Sequence, residues 1–242
     1  MAAGPSDDAI SEEQARIYRE QADGYDELVS AEDADGRLAQ ALAELLPAGA
    51  ALADVGGGTG RVTRICAARL ARSIVIDREP AMLAVAERRL RQAAPELPVE
   101  LVVADARALP LPDACVDASI AGWVFGHFRH WMPEGWRGEV ESAVREMLRV
   151  TRPGGPIVIV ETLGTGHEAP REHPALDEYF AQLEQLGLTR SWLRTDYLFP
   201  DVATAARVVG AFFGEVLAAR VSRDGLTRLP ECTAVFTRQR RG

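Results

Sequence analysis

Three observations predict an α/β fold in which a parallel sheet is wound on both faces by helices. Short apolar runs alternate with stretches whose apolar residues recur at helical spacing, from residue 50 to residue 160. The first run, Ala50 to Val55, ends in the cluster Gly56-Gly57-Gly58-Thr59-Gly60. Aspartates stand at the ends of the first three runs: Asp54, Asp77 and Asp105. Alternation on this scale implies a parallel sheet. Ligands of open α/β sheets bind outside the carboxyl ends of the strands, so the glycines and the aspartates gather at one edge.

Taken in order, residues 1–10 have the polar composition of a disordered segment, and 11–242 form one domain. Ser11 with Gln14 three residues on can open a helix by a capping box. Ile17/Tyr18, Ala22 and Tyr25 lie on one stripe, which Asp23-Gly24 is expected to interrupt. A second helix is predicted from Asp35 to Leu46, with Leu38, Ala41/Leu42 and Leu45 inward and Pro47 as its stop. Because these helices precede the alternating region, residues 11–48 are expected to form an N-terminal helical cap.

The glycine turn leads into a helix with Val62, Ile65, Cys66 and Arg69/Leu70 on its stripe. Ser73 to Ile76 is the second strand, and Glu79 to Ala93 a helix with Met82, Ala86, Leu90 and Ala93 buried. Val99 to Ala104 and Asp117 to Ala121 are the third and fourth strands. Glu134 to Val150 is a helix burying Val140, Val144, Met147 and Leu148; Pro156 to Val160 is the fifth strand. Beyond it the pattern predicts a helix over His173–Leu186 with Leu176, Phe180 and Leu183 inside. An extended stretch over Thr189–Phe199 follows. One helix is expected over Val202–Leu217, with Val202, Ala206, Val209, Phe213 and Leu217 on its stripe, and a final strand over Thr233–Thr237.

Composition removes several function classes. The chain has 242 residues, 47% of them hydrophobic, which suffices for a full core. Its net charge of −9 argues against a polyanion partner. All 27 basic residues are arginine, so no lysine can form a Schiff base. This Arg- and Ala-rich usage suits a GC-rich, bacterial genome. Cys66, Cys115 and Cys232 stand far apart without a C-x-x-C pair, and are expected to be buried free thiols of a reducing cytoplasm. Met1 to Ile10 lacks the apolar core of a signal peptide, and no apolar run reaches the ~18 residues of a membrane span.

The glycine loop narrows the ligand. Gly56, Gly58 and Gly60 let a ligand lie on the backbone, and the helix that follows presents free N–H groups. The dinucleotide fingerprint G-x-G-x-x-G wants a small third residue, but the place is taken by Arg61 or Thr63. A phosphate-cradling P-loop needs Gly-Lys, and there is no lysine. What remains is Asp-x-Gly-x-Gly-x-Gly, Asp54 to Gly60. Asp77 lies about 20 residues beyond this turn, where a carboxylate can accept from both ribose hydroxyls.

With Val75-Ile-Asp77, Val103-Ala-Asp105-Ala106 and the run Met147 to Val160, this pattern resembles motifs I, II, III and post-III of the class I S-adenosylmethionine (SAM) dependent methyltransferases. The closest likeness is to the branch of ubiquinone/menaquinone C-methylases and small-molecule methyltransferases, over about residues 11–165. The resemblance implies a Rossmann-like, seven-stranded doubly wound sheet with the last strand antiparallel. It implies SAM as cofactor, with Asp54 opening the loop and Gly56 and Gly58 against the methionine moiety. Asp77, with Arg78 beside it, falls at the ribose, Asp105 and Ala106 at adenine, and Gly122 at the end of the fourth strand. Tyr25 in Ala22-x-x-Tyr25-Asp26 matches the N-terminal helix that closes over the cofactor. No Asn/Asp-Pro-Pro-Tyr follows the fourth strand, which disfavours methylation of nucleic-acid bases.

An activated sulfonium needs mainly alignment with its acceptor. Where the acceptor must lose a proton, His127 is the candidate base, since imidazole titrates near neutrality; Glu161 at the end of the fifth strand is the other, or else it binds the N-terminal cap. His127 and His130 have spacing for a metal but no carboxylate cluster beside them, and no metal is expected. Trp123, with Phe125, Trp131 and Trp136, suggests a bulky apolar or aromatic acceptor, and Tyr197 and Phe212/Phe213 could line the same pocket. The expected function is methyl transfer to a small molecule, with no nucleic-acid or membrane partner. The alternatives are a SAM- or S-adenosylhomocysteine-binding protein without methylating activity, a nicotinamide oxidoreductase, and a methyltransferase acting on macromolecules.

Overall fold

A computed structural model describes residues 22–172 and 174–241. The capping box at Ser11 and the stripe residues Ile17/Tyr18 lie outside the described residues.

The helices are α1 (Ala22–Ala31), α2 (Arg37–Leu45), α3 (Arg61–Cys66), α4 (Pro80–Ala93), α5 (Phe128–Trp131), α6 (Trp136–Val150), α7 (Pro174–Gln185), α8 (Val202–Phe213) and α9 (Glu215–Asp224). The strands are β1 (Ala50–Val55), β2 (Leu70–Asp77), β3 (Val99–Val103), β4 (Ala118–Gly122), β5 (Pro156–Thr165), β6 (Thr189–Arg194), β7 (Tyr197–Leu198), β8 (Arg228–Leu229) and β9 (Glu231–Gln239). Seven strands form one sheet in the order β3-β2-β1-β4-β5-β9-β6, while β7 and β8 pair separately. From β3 to β5 all pairings are parallel. β9, the last strand of the chain, runs antiparallel to both β5 and β6. The sheet is the doubly wound one the sequence implies, and β1 has the predicted limits.

Side chains alternate between the faces of a strand, and this parity assigns the layers. Leu52, Ile120, Val158, Val160 and Val235 point to one face, where Leu38 and Leu42 from α2, Leu46 just past it, and Val62 and Cys66 from α3 cover them. On the same face Val75 of β2 meets Leu83, Ala86 and Leu90 of α4. Ala53, Val55, Ile74, Ile76, Ile157, Ile159 and Phe236 point to the other face, under Val140, Val144 and Met147 of α6 and Tyr179, Phe180 and Leu183 of α7. α2 is therefore a layer of the sandwich. A third cluster joins Leu28 of α1 to Tyr197, Phe199, Val208, Val209 and Val221.

Several expectations are corrected. α1 runs without a break through Asp23-Gly24. β2 begins at Leu70, earlier than predicted, and β5 continues to Thr165. Ala93 is exposed, and Leu148 and Leu176 are only half-buried. Thr189–Phe199 divides into β6 and β7. The helix expected over Val202–Leu217 is two helices, separated at Gly214, whose φ of 88° ends the first. Asp201 caps α8 by accepting from the Thr204 N–H at 2.7 Å. The buried positions of α8 are Ala205, Val208 and Val209, with Phe213 at the surface. Cys66 and Cys232 are buried free thiols, whereas Cys115 is half-buried.

Candidate functional site

A cavity opens at the carboxyl ends of β1 to β4. Its lining comprises Tyr25 from α1, Gly56 and Gly58 from the glycine loop, and Asp77, Arg78, Glu79 and Met82 after β2. It continues with Ala104 to Arg107 after β3, then Gly122, Trp123, Val124, His127, Phe128, Trp131 and Met132 after β4. The floor spans three inter-strand spacings, ~14 Å.

The glycines are required here by space and by conformation. Gly56, Gly58 and Gly60 all have positive φ, of 66°, 54° and 76°. A Cβ on Gly56 would lie 2.5 Å from Val124 Cγ2, and one on Gly60 would lie 2.9 Å from Leu90 Cδ1. The loop thus folds tightly enough to put Gly58 N–H onto Asp77 Oδ2 at 2.9 Å. Asp77 Oδ1 accepts from Glu79 N–H at 2.8 Å. Burial nevertheless pushes the Asp77 carboxyl above its ordinary range.

At the far end Asp105 is gripped by Arg107 through Nε at 2.8 Å and Nη2 at 2.6 Å. This fork holds the Asp105 carboxyl below its ordinary range. Arg107 also reaches Glu139 Oε2 at 2.8 Å and Met132 Sδ at 3.4 Å. After β4, Trp123 takes a left-handed backbone, φ 56°, rare for a bulky residue and typical of functional turns. Its N–H donates to Val160 O at 2.7 Å. The Arg61 guanidinium lies 4.1 Å from its ring centroid. His127 stacks on Trp131 with ring centroids 5.2 Å apart. Burial, with His130 nearby, pushes the His127 imidazole down to about 4. Burial pushes the Tyr25 phenol up to about 12, against the pull of Arg61.

Of the residues singled out from sequence, Tyr25, Gly56, Gly58, Asp77, Arg78, Asp105, Ala106, Gly122, Trp123 and His127 meet around this one cavity. Three do not. Asp54 is fully buried beneath α3, where Oδ2 accepts from the Thr63 N–H at 3.1 Å and the Thr63 hydroxyl at 2.8 Å. It fixes the start of the helix after the glycine loop and does not line the cavity. Glu161 lies on the other face, accepting from the Tyr179 hydroxyl at 2.8 Å and Gly126 N–H at 3.2 Å. It braces the turn that carries His127 against α7 rather than binding the N-terminal helices, and burial pushes its carboxyl up to about 7. Tyr197 is buried in the C-terminal cluster, stacked on Phe199 at 6.0 Å and edge-on to Phe213. Phe125 and Trp136 belong to the core. Among the described residues no group of three or more His, Cys, Asp or Glu is placed to hold a metal, and no helix is long and apolar enough to cross a membrane.

Sequence reasoning missed Arg107, Met82 and Met132 in the lining. Arg107 had a signal: it stands two residues after Asp105, where a side chain can turn back onto that carboxylate. The methionines had none: Met82 also fits a helix stripe, and Met132 stands in no pattern that marks a site.

Residues 53–159 match a family model described as a methyltransferase domain. The chain is 36% identical over 118 residues to malonyl-acyl-carrier-protein O-methyltransferase of Serratia marcescens, covering 49% of this chain and 40% of that one. It is 33% identical over 117 residues to the ubiquinone/menaquinone biosynthesis C-methyltransferase of Chromobacterium violaceum, covering 47% and 43%. The aligned region thus spans about two-fifths of each of these relatives. Among solved structures a Bacillus halodurans protein superposes with a TM-score of 0.58 at 16% identity, covering 86% of this chain and 99% of that one. The 4+2 cyclase SpnF does so with a TM-score of 0.56 at 20% identity, covering 86% and 81%. At such identities these two structures establish the fold alone.

Proposed function

We propose that this chain is a class I methyltransferase that holds SAM along its glycine-loop cavity and methylates a small-molecule acceptor, a reading supported by the family match over residues 53–159 and by its relatives. The observation that carries the reading is the convergence of Gly56, Gly58, Asp77, Asp105, Ala106 and Gly122 on one cavity that Tyr25 also lines. The cavity fits an elongated nucleoside with a polar tail. Its glycine end exposes backbone, its middle carries the half-buried carboxylate of Asp77, and its far end joins an acidic group to the aromatic rings of Phe128 and Trp131.

Bound there, SAM supplies a methyl group already activated for in-line displacement. The chain's own part is placement. Gly56 and Gly58 let the backbone approach the methionine moiety. Asp77 accepts from ribose hydroxyls, with Arg78 alongside. Asp105 and Ala106 address the adenine edge, and Arg107 fixes the Asp105 carboxylate. Trp123 and His127, on the turn after β4, face the acceptor side. His127 is neutral near pH 7 and can accept a hydrogen bond from the acceptor, but its low pKa makes it a weak base. Alignment then carries the rate, worth ~7–11 kcal/mol. Glu161 acts through the turn it braces. The surplus of acidic groups supports a small acceptor over nucleic acid, and the composition supports a bacterial, cytoplasmic setting.

The fold alone does not choose the reaction, as its likeness to a cyclase illustrates; the sequence match over residues 53–159 is what favours methyl transfer. Thermal unfolding with roughly 1 mM SAM, S-adenosylhomocysteine or NAD(H) tests the site, since ligand at about 100 times Kd adds ~2.7 kcal/mol of stability. For a chain of this size that raises Tm by roughly 5–11 °C. We expect the shift with both adenosyl ligands and none with NAD(H); the reverse pattern sinks the proposal. Labelled methyl transfer to candidate acceptors then separates an enzyme from a protein that only binds SAM.

A further inference from the structure

The segment of α1 and Glu32 is docked on the glycine-loop helix by one partly buried and one buried ion pair. Asp26 on α1 is fully buried. Its Oδ1 lies 2.9 Å from Arg64 Nη1 of α3, and its Oδ2 lies 2.6 Å from Arg89 Nε of α4. Six residues on, just past the end of α1, the buried Glu32 places Oε2 2.8 Å from Arg61 Nη1. Arg61 and Arg64 stand three apart, on one side of α3, so two acidic groups of one segment meet two arginines of the other in matched register.

Arg61 also touches a residue of the cavity wall, and Arg64 the glycine loop beside it. Arg64 Nη1 donates to Thr59 O, within the glycine loop, at 3.1 Å. Arg61 lies over the face of Trp123. Tyr25, next to Asp26 in the chain, lines the cavity itself. The glycine loop and the segment that carries Tyr25 are thus joined through Arg64 and Asp26.

Buried ion pairs are weak sources of net stability, because apolar residues of similar size do as well or better; their best-attested use is to fix register. A helix held by apolar contacts alone can slide or rotate. We infer that Asp26 and Glu32 are positioning residues that set the register of α1 on α3, and so hold Tyr25 over the bound cofactor. This rests on the SAM reading of the cavity. It predicts that cofactor binding and docking of residues 22–32 are linked in both directions.

Calorimetric titration with S-adenosylhomocysteine would compare the wild type with D26N, E32Q, Y25F and the double variant D26N/Y25F. Each variant would first be checked for a cooperative thermal transition. We expect D26N and E32Q to weaken binding at least tenfold. We expect the double variant to bind within about twofold of the weaker single variant, because Asp26 acts through Tyr25. Hydrogen exchange of the wild type needs no variant: the ligand should slow exchange over residues 22–31 together with 56–60. A lowered Tm in D26N with affinity unchanged within twofold would make the pairs merely structural and overturn the inference. So would exchange over residues 22–31 that ignores the ligand, a test that holds even if D26N fails to fold. A wild type that binds S-adenosylhomocysteine under neither method would overturn both this inference and the SAM reading, whereas intact wild-type binding beside unaltered variants overturns this inference alone.

Discussion

Glu161, buried within β5, and Asp77, half-buried at the end of β2, are both carboxylates of the sheet, yet their surroundings give them different work. Asp77 keeps a face on the cavity while two backbone N–H groups hold it. We expect Asp77→Ala to weaken S-adenosylhomocysteine binding roughly 10- to 100-fold, the loss of hydrogen bonds to a charged group, as read by calorimetry. Glu161 titrates inside the fold. Its folded pKa of about 7 stands above the ordinary 4.5, so the native state binds its proton more tightly than the unfolded chain does. The stability this group contributes is full below about 4.5 and is lost as pH rises through about 7, a difference on the order of 3 kcal/mol. E161Q should therefore lose less stability than the wild type between pH 4.5 and 7 in urea titrations; parallel curves would contradict the assignment. Asp54 and Glu161 also show what a lone sequence leaves open. Asp54 shares the parity of Leu52 and so turns under α3, and Glu161 shares that of Ile157 and Ile159 and so turns under α7. The sequence marks the ends of the strands, but which helix lies over each face is a property of the topology.

At the scale of elements, strand–turn–helix units were legible because their patterns are local. β1, the glycine turn and α3 follow from one contiguous run. The C-terminal helices were less so. A stripe of apolar residues continues from Val202 through Leu217, and only the backbone at Gly214, φ 88°, separates α8 from α9. Replacing Gly214 by alanine should destabilise the chain, since alanine disfavours that φ. α2 precedes the alternating region and so reads from sequence as part of a cap, but Leu38 and Leu42 are fully buried against the sheet. Leu42→Ala should cost ~2–5 kcal/mol in chemical denaturation. At saturating ligand it should leave methyl transfer largely intact, because α2 contributes no residue to the cavity.

For the whole molecule the decisive feature is the place of β9. The sheet from β3 to β5 is built in a nearly continuous course of chain, and each added strand finds a neighbour already laid down. β6 does not: its partner in the sheet is β9, which comes later and lies between it and β5. Phe236 of β9 is fully buried and packs 5.5 Å from Phe180 of α7. During synthesis, then, the edge of β5 and the underside of α7 stay uncovered until residues 231–239 have cleared the ribosome. Chains stalled with that segment still inside the exit tunnel should be cut rapidly by protease, and chains stalled on an added C-terminal linker should resist. The parallel half can begin to assemble on the ribosome, but the sheet can close only after residues 231–239 have emerged, so a nascent chain has to guard the open edge of β5 while everything beyond Thr165 is being made.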